Sequence, residues 1–163
     1  MTLFWDRYFP RKNHQKDSYK HCAILGIGGN VGDVKARFEK LYTYLQQSRQ
    51  LHIIQTAPIL QNPAFGYKDQ ADFYNTIMQV QTNLPPHELL RYILYVEKRF
   101  KRIRVFKNSP RTLDIDMIFY DKIVINSRYL TLPHPHYHER ESVLIPLNFI
   151  QHRCTHETLY FPR

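Results

Sequence analysis

The sequence has no run of about 18 apolar residues, so it offers no helix that could span a membrane. Its first residues, Met1-Thr2-Leu3-Phe4-Trp5-Asp6-Arg7, are broken by charge and hold no secretory apolar core. Cysteine is scarce, with only Cys22 and Cys154 present. Two cysteines make no disulfide framework, and the absence of Cys-x-x-Cys removes that redox or zinc motif. These features predict a reducing, cytoplasmic location. Cys22, a small residue near a core strand, is expected to be structural, and nothing marks either cysteine as a nucleophile. Internal repeats and low-complexity stretches are absent as well.

Acidic residues are also few. Asp and Glu number 14 against 23 Lys and Arg, a formal net charge of +9, and the isoelectric point is near 9.6. A balance this basic points to anionic partners: nucleic acid, an anionic surface or a phosphorylated small molecule. The 163 residues are 43% hydrophobic and 14% aromatic. That is enough for one compact domain with a real core, not for two domains of full size.

Residues 1–20 are polar and basic, with Phe4, Trp5, Tyr8 and Phe9 among them, and read as an extension packed on or tethered to a single domain over 21–163. A buried strand over Ala23-Ile24-Leu25-Gly26-Ile27 is predicted to run into a glycine turn. A helix follows, because Val34, Phe38, Leu41 and Leu45 recur four, three and four apart behind an N-cap at Asp33. Leu51 to Thr56 reads as a short strand, and Pro58, Pro63 and Gly66 mark a loop. From Phe73 to Val80 alternation predicts a strand with Tyr74, Met78 and Val80 on one face and Phe73, Asn75 and Ile77 on the other. Pro85-Pro86 opens a second helix with Leu89, Leu90, Ile93, Val96 and Phe100 as its stripe, and Leu113 to Tyr120 is a further strand. The order strand, helix, strand, strand, helix, strand predicts a ferredoxin-like α+β sandwich, an antiparallel sheet with flanking helices.

The sharpest chemical feature is Arg111-Thr112-Leu113-Asp114-Ile115-Asp116. Residues two apart on a strand share a face, with Cα atoms about 6.5–7 Å apart. Asp114 and Asp116 therefore point one way, and Leu113, Ile115, Met117 and Phe119 are expected to point the other, into the core. Carboxylates so placed can hold a pair of Mg²⁺ ions about 3.5–4 Å apart; two solvated acids on a half-exposed strand remain the plainer alternative. Lys98, Arg99, Lys101, Arg102, Arg104 and Lys107 lead into this segment. Lys98 and Arg99 suit a helix C-terminus; beyond them, arginine forks match phosphate oxygens, and cations for phosphate beside acids for Mg²⁺ are what nucleoside-triphosphate chemistry requires. Three histidines two apart, His134, His136 and His138, raise a zinc reading that Pro135 weakens by interrupting the strand. Gly26-Ile27-Gly28-Gly29-Asn30-Val31-Gly32 is neither a P-loop nor a Gly-x-Gly-x-x-Gly fingerprint, and is expected to serve as a tight strand-to-helix turn.

Four segments in order resemble the 6-hydroxymethyl-7,8-dihydropterin pyrophosphokinases of folate biosynthesis. They are Gly28-Gly29-Asn30-Val31-Gly32-Asp33, Asp72-Phe73-Tyr74-Asn75, Pro110-Arg111-Thr112-Leu113-Asp114-Ile115-Asp116, and Leu132-Pro133-His134-Pro135 with Arg140 and Pro146-Leu147. The resemblance covers roughly residues 21–150 and implies a ferredoxin-like core and transfer of pyrophosphate from ATP to the pterin hydroxymethyl group, releasing AMP. It implies Asp114 and Asp116 as ligands of two Mg²⁺ ions, Arg102 and Arg111 as catalytic loop arginines, and Glu97, Arg104, Thr131, His134 and Arg140 as contacts to ATP. Asn62, Pro63, Phe65, Phe73 and Asn75 match the pterin pocket. The implied partners are ATP and the pterin, without nucleic acid or membrane, for a monomeric enzyme.

Departures accompany the match. An aromatic that the family places just after the matched arginine is Ser142 here; Tyr137 is one candidate to replace it, a looser pocket the other. Asn62 stands where Thr is common, Ser109 where a loop Trp is frequent, Lys101 for a Gly and Tyr129 for an arginine. Two other classes compete. A Mg²⁺-dependent nucleotidyltransferase would use the same acids but wants a Gly-Ser ahead of them, which is absent. A basic RNA-binding ferredoxin-like domain needs paired aromatics on central strands, also absent.

Overall fold

The computed structural model of the chain describes residues 1–64, 66, 69–100, 110 and 112–150, with the backbone of 153–154 and 157–158. Its main sheet is built on β3 (His21–Gly29), β4 (Leu51–Thr56), β5 (Ile59–Asn62), β6 (Phe73–Thr82) and β7 (Asp114–Tyr120), with β1 (Thr2–Phe4) and β2 (Arg11–Lys12) added from the N-terminal segment. The path runs β1-β5-β6-β3-β7, and β4 joins β2 to β6. Every pairing is antiparallel. Two helices, α1 (Val34–Gln46) and α2 (Pro86–Arg99), complete the predicted sandwich.

Both helices lie where their patterns put them. Asp33 caps α1, its Oδ1 accepting from the Ala36 N–H at 3.1 Å, and Val34, Phe38, Leu41 and Leu45 are buried on its sheet side. Pro86 occupies the first turn of α2, where a missing N–H costs nothing, and Leu89, Ile93 and Val96 are buried beneath it. They meet Ala23, Leu25, Ile27, Met78, Val80, Ile115 and Met117 from the strands.

Three local expectations are corrected. Ile59–Asn62 is a strand, not part of a loop, because it pairs with β6 at Leu60↔Asn75 and Asn62↔Phe73. The glycine segment is not all turn: β3 continues to Gly29, and only Gly32, at φ +70°, has the left-handed backbone a turn requires. Phe119 does not share a face with Leu113, Ile115 and Met117. A bulge shifts the β3–β7 register between Leu25↔Met117 and Ile24↔Phe119, and one extra residue moves a strand's side chains to the other face. Phe119 therefore packs with Ile24, Ile77 and Ile118 on the side away from α1 and α2.

That second face is covered over part of its length by α3 (Glu141–Leu147), which follows a single 3-10 turn at Tyr137–Glu139. Tyr137, Leu147 and Ile150 bury Ile24, Ile77, Ile118 and Phe119 there. The glycine-bearing end of the same face carries the cavity described below. Cys22 also lies in this second cluster and is disulfide-bonded, against the expectation of a reduced thiol; its partner lies outside the described side chains. No helix among the described residues is long and apolar enough to cross a membrane.

The N-terminal segment is joined to this core at several points. Phe9 is fully buried among Phe38 and Tyr42. Tyr8 stacks on Tyr42 with ring centroids 4.4 Å apart, and Asn13 donates to the Tyr42 hydroxyl at 2.7 Å.

Candidate active site

Register builds the site. Gly28 of the central strand stands between Asn75 of β6 and Asp114 of β7, and one row along, Gly26 stands between Ile77 and Asp116. These residues point to the face away from α1 and α2, at the end α3 leaves open. They help line a cavity of about 690 Å³, together with Asn62, Pro63, Phe73, Arg140 and Ser142.

The two glycines form the cavity floor, a role that sequence reading missed. A Cβ on Gly28 would stand 2.6 Å from Asn75 Oδ1, and one on Gly26 3.3 Å from Ile118 Cδ1. A side chain at either position would fill the space between the acids and the amide. The available signal was a run of alternate glycines inside a strand pattern, which marks close approach of another group to the backbone.

Asn75 of β6 and Asn62 of β5 are diagonal neighbours across the strand pair. Asn75 donates through Nδ2 to Asn62 Oδ1 at 2.7 Å, and Asn62 donates to the Pro63 carbonyl at 2.9 Å. A primary amide carries two N–H groups and a carbonyl oxygen, so this bond fixes the Asn75 side chain and leaves it able to read a donor–acceptor edge. Phe73, half-buried at the start of β6, supplies an apolar wall.

Asp114 and Asp116 share the cavity face, both half-buried, while Leu113, Ile115 and Met117 are buried behind them. An all-oxygen donor pair beside glycine backbone fits a hard, small cation such as Mg²⁺, which keeps several waters and takes one or two carboxylates from protein. Nearby backbone is tied down by two side chains. Asn30 donates through Nδ2 to Gln70 Oε1 at 2.8 Å and to the Ala71 carbonyl at 3.0 Å. Arg37 donates to the carbonyls of Val31 at 2.6 Å and Thr112 at 3.0 Å. The β3–α1 turn is thus linked both to the approach of β6 and to the entry of β7.

His134, which follows the short strand at Thr131–Leu132, lies against β7, its backbone N–H donating to the Ile118 carbonyl at 2.9 Å. Burial, then the positive neighbour Arg140, lower its pKa to about 4. The ring is neutral near pH 7. Its Nδ1 accepts from the His136 backbone N–H at 3.2 Å, which leaves the proton on Nε2 and makes that atom a donor. The native pKa lies below the ordinary value of 6.5, so between about 6.5 and about 4 the unfolded chain binds a proton the native one refuses. Stability is expected to fall as pH drops through that window, and urea midpoints of a His134→Gln variant should fall less steeply than those of the wild type.

Other expected site residues lie elsewhere. Glu97 is buried on α2 and accepts from the Ile115 N–H at 3.3 Å, on the edge of β7. Thr131 is exposed on β9 (Thr131–Leu132), which pairs with β8 (Ile125–Asn126) in a small hairpin. Glu97, Thr131 and His134 are not among the residues lining the cavity. Tyr137 does not replace the aromatic absent at Ser142: its ring is buried edge-on to Phe119 at 4.9 Å, while Ser142 itself lines the cavity. His134, His136 and His138 do not share a strand face, because a turn runs through Tyr137–Glu139. No group of three or more metal-ligating side chains occurs among the described residues. Phe65, Arg102, Arg104 and Arg111 lie outside the described residues.

Residues 24–152 match the family 7,8-dihydro-6-hydroxymethylpterin-pyrophosphokinase (HPPK). The chain belongs to this family. It is 41% identical over 144 residues to the 2-amino-4-hydroxy-6-hydroxymethyldihydropteridine pyrophosphokinase of Campylobacter jejuni, covering 88% of this chain and 92% of that protein. The Helicobacter pylori protein of the same name is 35% identical over 147 residues, covering 89% of this chain and 90% of its own length. That of Bacillus subtilis is 32% identical over 127 residues, covering 78% and 76%. The HPPK match takes in both glycines of the floor, both carboxylates and Asn75, and begins after the N-terminal strands.

Proposed function

We propose that the chain transfers pyrophosphate from ATP to the hydroxymethyl group of 6-hydroxymethyl-7,8-dihydropterin in folate biosynthesis, with the cavity over Gly26 and Gly28 as its active site. The observation that carries the site assignment is the row Asn75–Gly28–Asp114, which sets an amide suited to a pterin edge and a carboxylate suited to a cation on either side of one bare strand. In the reaction the pterin alcohol oxygen attacks the β-phosphorus of ATP, its proton leaves, and the bond to the α-phosphate oxygen breaks to release AMP.

The division of labour follows from the side chains. Asn75, held by Asn62, orients the pterin through its edge, and Phe73 covers part of the ring. Asp114 and Asp116 are the groups that would hold Mg²⁺, two ions in our reading, whose chemistry is to draw charge from the phosphates and align the attacking and leaving oxygens. Arg140, which lines the cavity, has the guanidinium to meet phosphate oxygens, and in this reading the Nε2–H of the neutral His134 donates to ATP from outside that lining. Positioning and charge carry most of this reaction, so no strong side-chain base is required.

ATP and the pterin are the partners in this reading, for a monomer that needs no nucleic acid. α3 covers part of the sheet face on which ferredoxin-like domains stack RNA bases, which supports that view. A need for ATP supports a cytoplasmic location, and the disulfide at Cys22 is the observation that runs against it.

Product analysis tests the reading. With ATP, Mg²⁺ and the pterin, AMP is expected to form in step with pterin diphosphate. Chelating the metal should stop AMP formation, and restoring Mg²⁺ should recover it. ADP or free pyrophosphate as the product would overturn it.

A further inference from the structure

The HPPK match begins at residue 24, yet the cavity is lined in part by Met1. The register explains how. β1 pairs with β5 at Thr2↔Gln61, Leu3↔Leu60 and Phe4↔Ile59, which sets Met1 beside Asn62, the residue that holds the Asn75 amide.

The strand is anchored along its length. The Phe4 ring lies 6.1 Å from that of Tyr74, between Phe73 and Asn75 in sequence, and Lys35 Nζ sits 3.9 Å from the Phe4 centroid. Trp5 meets Phe149 edge-on at 6.2 Å, just beyond α3, whose Ser142 and Val143 line the same cavity. Behind these, Asp6 Oδ1 accepts from the N–H groups of Tyr8 and Phe9, and Phe9 is fully buried. The segment is fixed at Phe9 and delivers its far end to the cavity rim.

We propose that β1 is a wall of the pterin subsite and a determinant of pterin affinity, with Met1 as an apolar rim and the Trp5–Phe149 contact joining that wall to α3. The inference rests on assigning the Asn62–Asn75 end of the cavity to the pterin. A methionine thioether is soft and adaptable and packs well against a flat ring system. On the α3 side the cavity presents Ser142 instead of an aromatic, so apolar cover from β1 has a place to act.

The test is calorimetric titration of the pterin into full-length protein saturated with Mg²⁺ and a non-hydrolysable ATP analogue, for wild type, Phe4→Ala and Asn75→Ala. Phe4→Ala removes the ring that seats β1 on Tyr74. It is expected to weaken pterin binding by about tenfold and to leave affinity for the analogue within about twofold. In the wild-type protein, amide exchange over residues 2–4 should slow when the pterin joins the analogue complex, a readout that needs no variant. Pterin affinity unchanged in Phe4→Ala, equal weakening of both ligands, or exchange over 2–4 indifferent to the pterin would each overturn the proposal. If Asn75→Ala loses pterin affinity while Phe4→Ala keeps it, the wall fails and the site assignment stands. If both variants bind the pterin normally, the site assignment fails and the wall with it.

Discussion

Asp116→Ala is expected to lower turnover by about 10³-fold or more while leaving the fold in place. The carboxylate lies on the cavity face next to Gly26, half-buried, and the apolar residues that hold β7 in the core are its neighbours Ile115 and Met117. Removing it deletes a proposed cation ligand without opening the core. Thermal midpoints of variant and wild type should agree within about 5 °C. Asp116→Asn, which keeps the shape and drops the charge, should be nearly as inactive, since a neutral amide is a poor replacement for a carboxylate on a hard cation. An alanine variant with near-normal AMP production would remove Asp116 from the mechanism.

The second large effect is expected at a residue with no side chain. In Gly28→Ala the new Cβ would stand 2.6 Å from Asn75 Oδ1, and the nearest backbone atom, the Tyr74 carbonyl oxygen, is at 3.6 Å. The amide is the group that gives way. It can rotate, but it then loses the 2.7 Å bond to Asn62 and its aim into the cavity. Leaving the pterin edge unread costs about 2–3 kcal/mol, or about 10²-fold in pterin affinity. Affinity for an ATP analogue should change little. Gly26→Ala is expected to do less, because its nearest contact is a methyl of Ile118 at 3.3 Å that can yield slightly. Pterin binding within threefold of wild type in a folded Gly28→Ala protein, as read by calorimetry, would show that the floor is not built as described; threefold is about 0.65 kcal/mol, well below the expected loss.

Much of this architecture was legible along the chain. Val34, Phe38, Leu41 and Leu45 announced α1 and its buried side, and Asp33 its start. Alternation from Phe73 assigned Asn75 and Ile77 to one face and Met78 and Val80 to the other; the structure sets Met78 and Val80 in the core beneath α1 and α2, and Ile77 in the opposite cluster with Asn75 lining the cavity on that side. The pair Asp114 and Asp116 was separated from the core by the same argument. Each inference is local: a period of 3.6 or 2 fixes which side chains travel together without reference to any other segment.

Other features were not legible, for one physical reason. Phe119 changed faces through a bulge opposite Ile24 and Leu25, and a bulge is a property of two paired strands. Ile59–Asn62 became a strand because β6 offered it a partner. Between the two alternatives left open at Ser142, a replacement by Tyr137 or a looser pocket, the sequence could not choose; Tyr137 went into the core against Phe119, whose face the bulge had decided.

By itself, then, the sequence determined α1 and α2, the principal strands, the shared face of the two acids and the ordered segments that place the chain in its family. Tertiary structure alone decided what stands across from what. Pairing on both sides of β3 turned two glycines into a floor between Asn75 and Asp114, and pairing of β1 with β5 carried Met1 to the cavity rim. Periodicity is written within a segment, whereas register between segments is set by long-range backbone pairing and by the surface that pairing buries.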